Sequence, residues 1–129
     1  MPVIRTSEKM MDSQNRPEWS GVTSAGIFRV KVDGRFDCHY HDCDEYWLVF
    51  KGKARVMTEG REFYVKPGDI VCTLAGDEHD VLELYEELEA FWLEDVTPEG
   101  GQIGHLHRSV DKAAGHTVPG LPLPEDFPL

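Results

Sequence analysis

Apolar and polar residues alternate clearly first in Ile27-Phe28-Arg29-Val30-Lys31-Val32-Asp33, the period-2 signature of a half-buried strand. Beyond it, turn signals arrive at short intervals: Asp33-Gly34, Lys51-Gly52, Glu59-Gly60, Pro67-Gly68-Asp69 and Gly76-Asp77. Between them lie short runs rich in β-branched and aromatic residues, Glu45–Phe50, Ala54–Thr58, Phe63–Val65 and Ile70–Thr73. Short strands punctuated in this way predict an all-β sandwich or barrel. Val81–Glu94 is ambiguous. Its Leu, Glu and Ala favour a helix, with Leu84, Leu88 and Phe91 on one face. The alternative is an antiparallel hairpin turning at Glu86-Glu87, with strands Val81–Tyr85 and Leu88–Val96. The hairpin is preferred because the preceding residues belong to a motif that a strand must follow.

The flanks have a different texture. Residues 1–20 are polar without a sustained period and form an N-terminal arm; residues 21–97 carry the strand pattern. Residues 98–129 are rich in Gly and Pro, with a short helix expected over Ser109–Ala114, capped by Ser109 and stopped by Gly115. The prolines at 119, 122, 124 and 128 forbid a helix or central strand thereafter. Val118, Leu121, Leu123, Phe127 and Leu129 therefore predict an extended tail on the barrel or on a partner subunit, and a homodimer is expected.

Composition narrows the classes. A chain of 129 residues has room for one domain. Its 24 acidic against 13 basic residues give a net charge of −11, a field that repels nucleic-acid backbones. The longest apolar run, Tyr46–Phe50, is far too short for a membrane span, and the first residues hold no signal-peptide core. Cys38, Cys43 and Cys72 then read as reduced thiols, and a cytoplasmic location is expected.

The chemistry concentrates in His39-Tyr40-His41-Asp42-Cys43-Asp44-Glu45. Residues i and i+2 of a strand share a face, so His39 and His41 address one point. Glu45 opens the next strand, and two imidazoles with a carboxylate make a metal-binding face. His79, after the turn Ala75-Gly76-Asp77-Glu78, is the candidate for a fourth ligand.

Gly34-x4-His39-x-His41-x3-Glu45-x6-Gly52 resembles the first motif of the cupin superfamily, and Gly68-x5-Leu74-x-Gly76-x2-His79 resembles the second. Gly34 stands one residue closer to the first histidine than usual, Leu74 replaces a proline, and Glu83 replaces an asparagine. The resemblance implies an all-β jelly-roll barrel with His39, His41, Glu45 and His79 as ligands to one divalent transition metal: Zn, Fe, Mn, Ni, Co or Cu. Trp47, and with it Trp92, is expected to face inward near the metal. On a regular strand His79, Val81 and Glu83 would share the inward face, which makes Glu83 the candidate acid or base. Cys38 and Cys43 flank the motif as small buried residues or as neighbours of the ligands. His105-Leu106-His107 is a second H-x-H pair, expected in a loop over the barrel mouth rather than on a metal.

The resemblance implies a small metal-dependent enzyme, an isomerase or epimerase moving a proton on a sugar or sugar-derived acid. Two alternatives stand beside it: an iron-dependent dioxygenase, and a non-catalytic protein that binds a small ligand.

Overall fold

A computed structural model describes residues 3–129. The strands are β1 (Ser24–Val30), β2 (Arg35–Phe36), β3 (Glu45–Thr58), β4 (Arg61–Val65), β5 (Ile70–Thr73), β6 (His79–Glu94) and β7 (His116–Thr117), with one short helix, α1 (Val110–Ala114). The five-stranded sheet runs β1-β6-β3-β4, with β5 also paired to β3, and β2 pairs β7 in a small second sheet. All of these pairings are antiparallel, and they fit the expected jelly roll.

Two long strands form the spine, and both correct the sequence reading. Lys51-Gly52 is not a turn: β3 runs through it unbroken. Its inward residues are Glu45, Trp47 and Val49 on one side and Ala54, Val56 and Thr58 on the other, so the phase slips between them. The slip coincides with register shifts against β6 around Lys51 and Lys53. Gly52 has φ +93°, and a Cβ there would lie 2.0 Å from the Glu87 carbonyl oxygen, so only glycine lets the strands pass.

Val81–Glu94 is neither a helix nor a hairpin. It is most of one continuous strand, and its two halves pair with β3 rather than with each other. Pairing on both sides, to β1 and β3, overrides the local helix propensity. The residues that suggested a turn, Glu86 and Glu87, sit where β6 bulges past Gly52.

The turn at Glu59-Gly60 and the short helix fall where expected. Glu59 and Gly60, with φ of 53° and 71°, turn the hairpin from β3 to β4. Ser109 caps α1 by accepting a hydrogen bond from the Lys112 amide at 3.2 Å, and Gly115 stops it at φ 76°. The tail lies on its own chain. Val118 is fully buried, Leu84 exchanges backbone hydrogen bonds with Pro119 and Leu121, and Phe127 packs between Tyr64 and Tyr85. Burying those two side chains stabilises the fold by about 1.5–3 kcal/mol each. The tail therefore no longer argues for a partner subunit. The N-terminal arm is stitched to β1 by paired backbone bonds between Met11 and Ala25, at 2.8 and 3.0 Å.

Candidate metal centre

His39 and His79 face each other across a two-residue bridge, their backbone amides and carbonyls exchanging bonds of 3.2 and 2.8 Å. His41 lies two residues beyond His39 on the same face, and its carbonyl is held by the Gly76 amide at 2.8 Å. Glu45 opens β3 opposite Thr73 of β5 and Glu94 of β6. All four expected ligands are buried, with 0–5% of each exposed, and they offer one donor atom apiece within 4.8 Å of one another.

The donor atoms are prepared for a cation. His39 Nδ1 donates to the Asp37 carbonyl at 2.6 Å and His41 Nδ1 to the Gly104 carbonyl at 3.0 Å. Each Nε2 is thereby left as a lone pair aimed into the cluster. His41 Nε2 is buried without a hydrogen-bond partner, which is costly unless a cation takes the lone pair. The Nε2 atoms of His39 and His79 lie 2.8 Å apart, and Glu45 Oε1 is 3.2 Å from His79 Nε2. Three imidazole nitrogens and one carboxylate suit a divalent transition metal.

The electrostatics agree. Burial, followed by the neighbouring His105, lowers the pKa of His39 to about 4, and burial lowers that of His79 to about 3. Both rings are therefore neutral and able to ligate near neutral pH. Burial opposes the charge on His41, but the Glu45 carboxylate 3.3 Å from its Nε2, with Glu94 beyond, raises its pKa. Burial likewise works against the Glu45 carboxylate, and the neighbouring His41 reverses this and keeps it ionised. Trp47 Nε1 donates to Glu45 Oε1 at 2.8 Å and orients the carboxylate.

The cluster opens into a cavity of about 600 Å³. Its walls are largely apolar, with Phe28, Phe36, Trp47, Trp92, Val96 and Ile103 prominent, and Met10 and Arg16 of the arm close one side. Trp47 and Trp92 thus face inward as expected.

Glu83 does not line this cavity, and its expected place on the inward face is corrected. Val81 pairs with Val56 but Glu83 pairs with Arg55, so an extra residue at Leu82 shifts the phase and turns Leu84 inward instead. Glu83 instead binds Arg55 at 2.5 Å and accepts from the Tyr85 hydroxyl at 2.7 Å. On the new phase Leu88, Ala90, Trp92 and Glu94 point in, and Glu94 is the carboxylate that reaches the centre. Its Oε2 lies 3.4 Å from His41 Nδ1 and its Oε1 accepts from the Ser24 hydroxyl at 3.1 Å. Burial, then the adjacent Glu45, raises its pKa to about 7.

The second H-x-H loop covers the mouth. His105 stacks on His39 with ring centroids 3.6 Å apart, and both His105 and His107 reach the Asp37 carboxylate, at 3.0 and 2.6 Å. Burial pushes Cys38 up to about 11 and Cys43 up to about 12, so both remain protonated thiols, poorly suited to ligation.

Several proteins share parts of this chain or fold. An uncharacterized protein, y4oW, of Sinorhizobium fredii is 38% identical over 71 residues, 55% of this chain but only 33% of its own length. The DMSP lyase DddQ of Ruegeria pomeroyi superposes with a TM-score of 0.56 at 22% identity, over 62% of this chain and 41% of the lyase. A predicted oxalate decarboxylase of Thermotoga maritima superposes with a TM-score of 0.57 at 16% identity, over 73% of this chain and 98% of its own. At such identities these structures share the fold and nothing more. The family described as "Cupin domain" matches residues 26–94, which span the sheet from β1 to the end of β6, and the chain belongs to that family.

Proposed function

We propose that His39, His41, Glu45 and His79 hold one divalent transition metal, and that the protein is a small enzyme moving a proton on a sugar-derived or similar small acid. The observation that carries this reading is Glu94: a second carboxylate, half-buried and outside the ligand set, on the wall of the same cavity. The bound ion supplies Lewis-acid polarisation of a substrate oxygen. Glu94 then takes or returns the proton at an adjacent carbon, while the Ser24 hydroxyl holds its carboxyl in place. The aromatic walls exclude water. They also favour an acid with a short hydrocarbon part over a free sugar, whose hydroxyls would be left unpaired against them.

The test is solvent deuterium incorporation, read by NMR, on metal-loaded protein with a panel of sugar-derived acids and 2-oxo acids. Exchange at one carbon is expected, and Glu94→Gln lowers it by about 10²–10⁴-fold with metal content unchanged. A Glu94→Gln protein that exchanges at the wild-type rate overturns the role of Glu94. Oxygen consumption by the iron-loaded protein would favour a dioxygenase, and ligand binding without turnover a non-catalytic role.

The same reading makes the protein a homodimer, joined through the outer face of the large sheet. Ile27, Phe91, Leu48 and Ile70 lie in register across β1, β6, β3 and β5, and Ile27 and Ile70 are 39% and 59% exposed. A contiguous apolar row in so acidic a protein suits a copy of itself. The three cysteines are free thiols, which supports placing the protein in the cytoplasm.

A further inference from the structure

Arg16 is the sole Lys or Arg among the described residues that line the cavity. Its Nη1 donates to the Ser20 carbonyl at 3.1 Å, and among the described residues no carboxylate lies within ion-pair distance of its guanidinium. Asp12 lines the same cavity, yet its carboxylate is taken by the Gln14 amide at 3.0 Å and by Lys9 at 3.6 Å.

The arm is built to hold this cation still. The Asn15 side-chain oxygen accepts from the Asp12 amide at 2.8 Å, its amide nitrogen donates to the Met10 carbonyl at 3.0 Å, and the Arg16 amide bonds Asp12 at 3.0 Å. The Met11–Ala25 bridge then fixes the arm beside the start of β1, where Ser24 lies opposite Glu94. Glu45 and Glu94 make the cavity floor repel a free anionic group. Arg16 offers the opposite charge and a planar fork of donors that matches a carboxylate.

We infer that Arg16 is the substrate-binding residue for a carboxylate remote from the metal-bound end, so that the enzyme's substrates are small acids with two metal- or arginine-seeking ends joined by a short apolar segment. This inference rests on the metal-dependent reading above and adds the class of its substrate.

Three probes of matched size separate the contributions: succinate with two carboxylates, succinamate with one, and succinamide with none. Titration calorimetry on the metal-loaded full chain should show succinate binding about 10- to 100-fold more tightly than succinamate, the worth of one charge-assisted pair. Arg16→Gln should abolish that step, while Arg16→Lys keeps part of it. Because Arg16 has only one internal hydrogen bond through its side chain, both variants should melt close to the wild type, which scanning calorimetry checks.

Equal affinity of the wild-type protein for succinate and succinamate, or an undiminished step in Arg16→Gln, overturns the inference. Failure of the metal reading looks different: mass spectrometry finds no bound metal, and chelator leaves succinamate affinity unchanged. A succinate preference that survives chelation but vanishes in Arg16→Gln supports the arginine site alone.

Discussion

Trp47→Phe separates orientation of a metal ligand from packing of the core. Trp47 is 3% exposed and does two things at once. Its ring fills the space between Phe28, Phe36 and His79, with centroids 5.0, 5.9 and 4.6 Å away, and its Nε1 donates to Glu45 Oε1 at 2.8 Å. Phenylalanine keeps an aromatic ring in that space and removes the donor. A hydrogen bond to a buried carboxylate is worth about 1.5–3 kcal/mol, and about 1.4 kcal/mol is a factor of ten in affinity. Metal affinity should therefore fall about 10- to 100-fold, the range expected when an outer partner of a ligand is removed.

The assay is competition for Zn²⁺ against a chromophoric chelator, with thermal unfolding of the chelated protein measured alongside. Val49→Ala is the control. Val49 is buried on the same strand, and its loss costs roughly 1–3 kcal/mol of stability without touching a donor atom. It should melt earlier and bind Zn²⁺ as the wild type does. If Trp47→Phe binds Zn²⁺ within twofold of the wild type, or if Val49→Ala weakens binding equally, Trp47 belongs to the core alone and the orienting role is refuted.

Two further outcomes follow from the structure. In chelated protein the depressed pKa values of His39, about 4, and His79, about 3, mean that the unfolded chain takes up protons near pH 6.5 while the folded chain does not. His39 and His79 should thus lower stability as pH drops from about 6.5 towards 4, against opposing contributions from His41 and Glu94, whose raised pKa values favour the folded state at low pH. Urea midpoints at pH 7 and 5 for wild type and Glu94→Gln check this: the variant lacks one opposing contribution and should lose more stability at pH 5 than the wild type, and an equal or smaller loss refutes it. For the outer face, light scattering should give twice the 14.7 kDa chain mass, and Ile70→Glu should return it to the monomer value. A monomeric wild type removes the proposed interface.

The four clustered donors were legible because their signal is local. His39 and His41 share a face by strand alternation, and the short polar turn before Glu45 and the glycine turn before His79 mark where the chain returns to the same end of the sheet. Arg16 was not legible, because nothing in a polar arm without a period says which wall it will close. The loop of His105 and His107 was expected over the mouth, but their meeting with Asp37 was not legible, because it depends on where the Gly-rich loop returns.

Glu94 is the instructive miss, since its signal was present. His79 and Trp92 were both expected to face inward, yet they are separated by an odd number of residues. No regular strand can point both to one face, so a single strand joining them must contain an odd net number of inserted residues. A hairpin at Glu86-Glu87 concealed that contradiction by letting each half keep its own phase. The phase counted forward from His79 selected Glu83, whereas the phase set by Trp92 selects Glu94. The structure resolves the conflict with bulges on β6, the first at Leu82, where Val81 and Leu84 are both fully buried. Leu82 and Leu84 are alike in hydrophobicity, so composition could not locate the slip; only the pairing of β6 with β3 does. The same irregularities that bend the two long strands around the core therefore decide which carboxylate lies on the cavity wall beside the four clustered donors. A one-residue deletion at Leu82 would remove this first bulge and leave Leu84, not Glu83, in the phase of His79, so Glu83 would stay off the cavity wall.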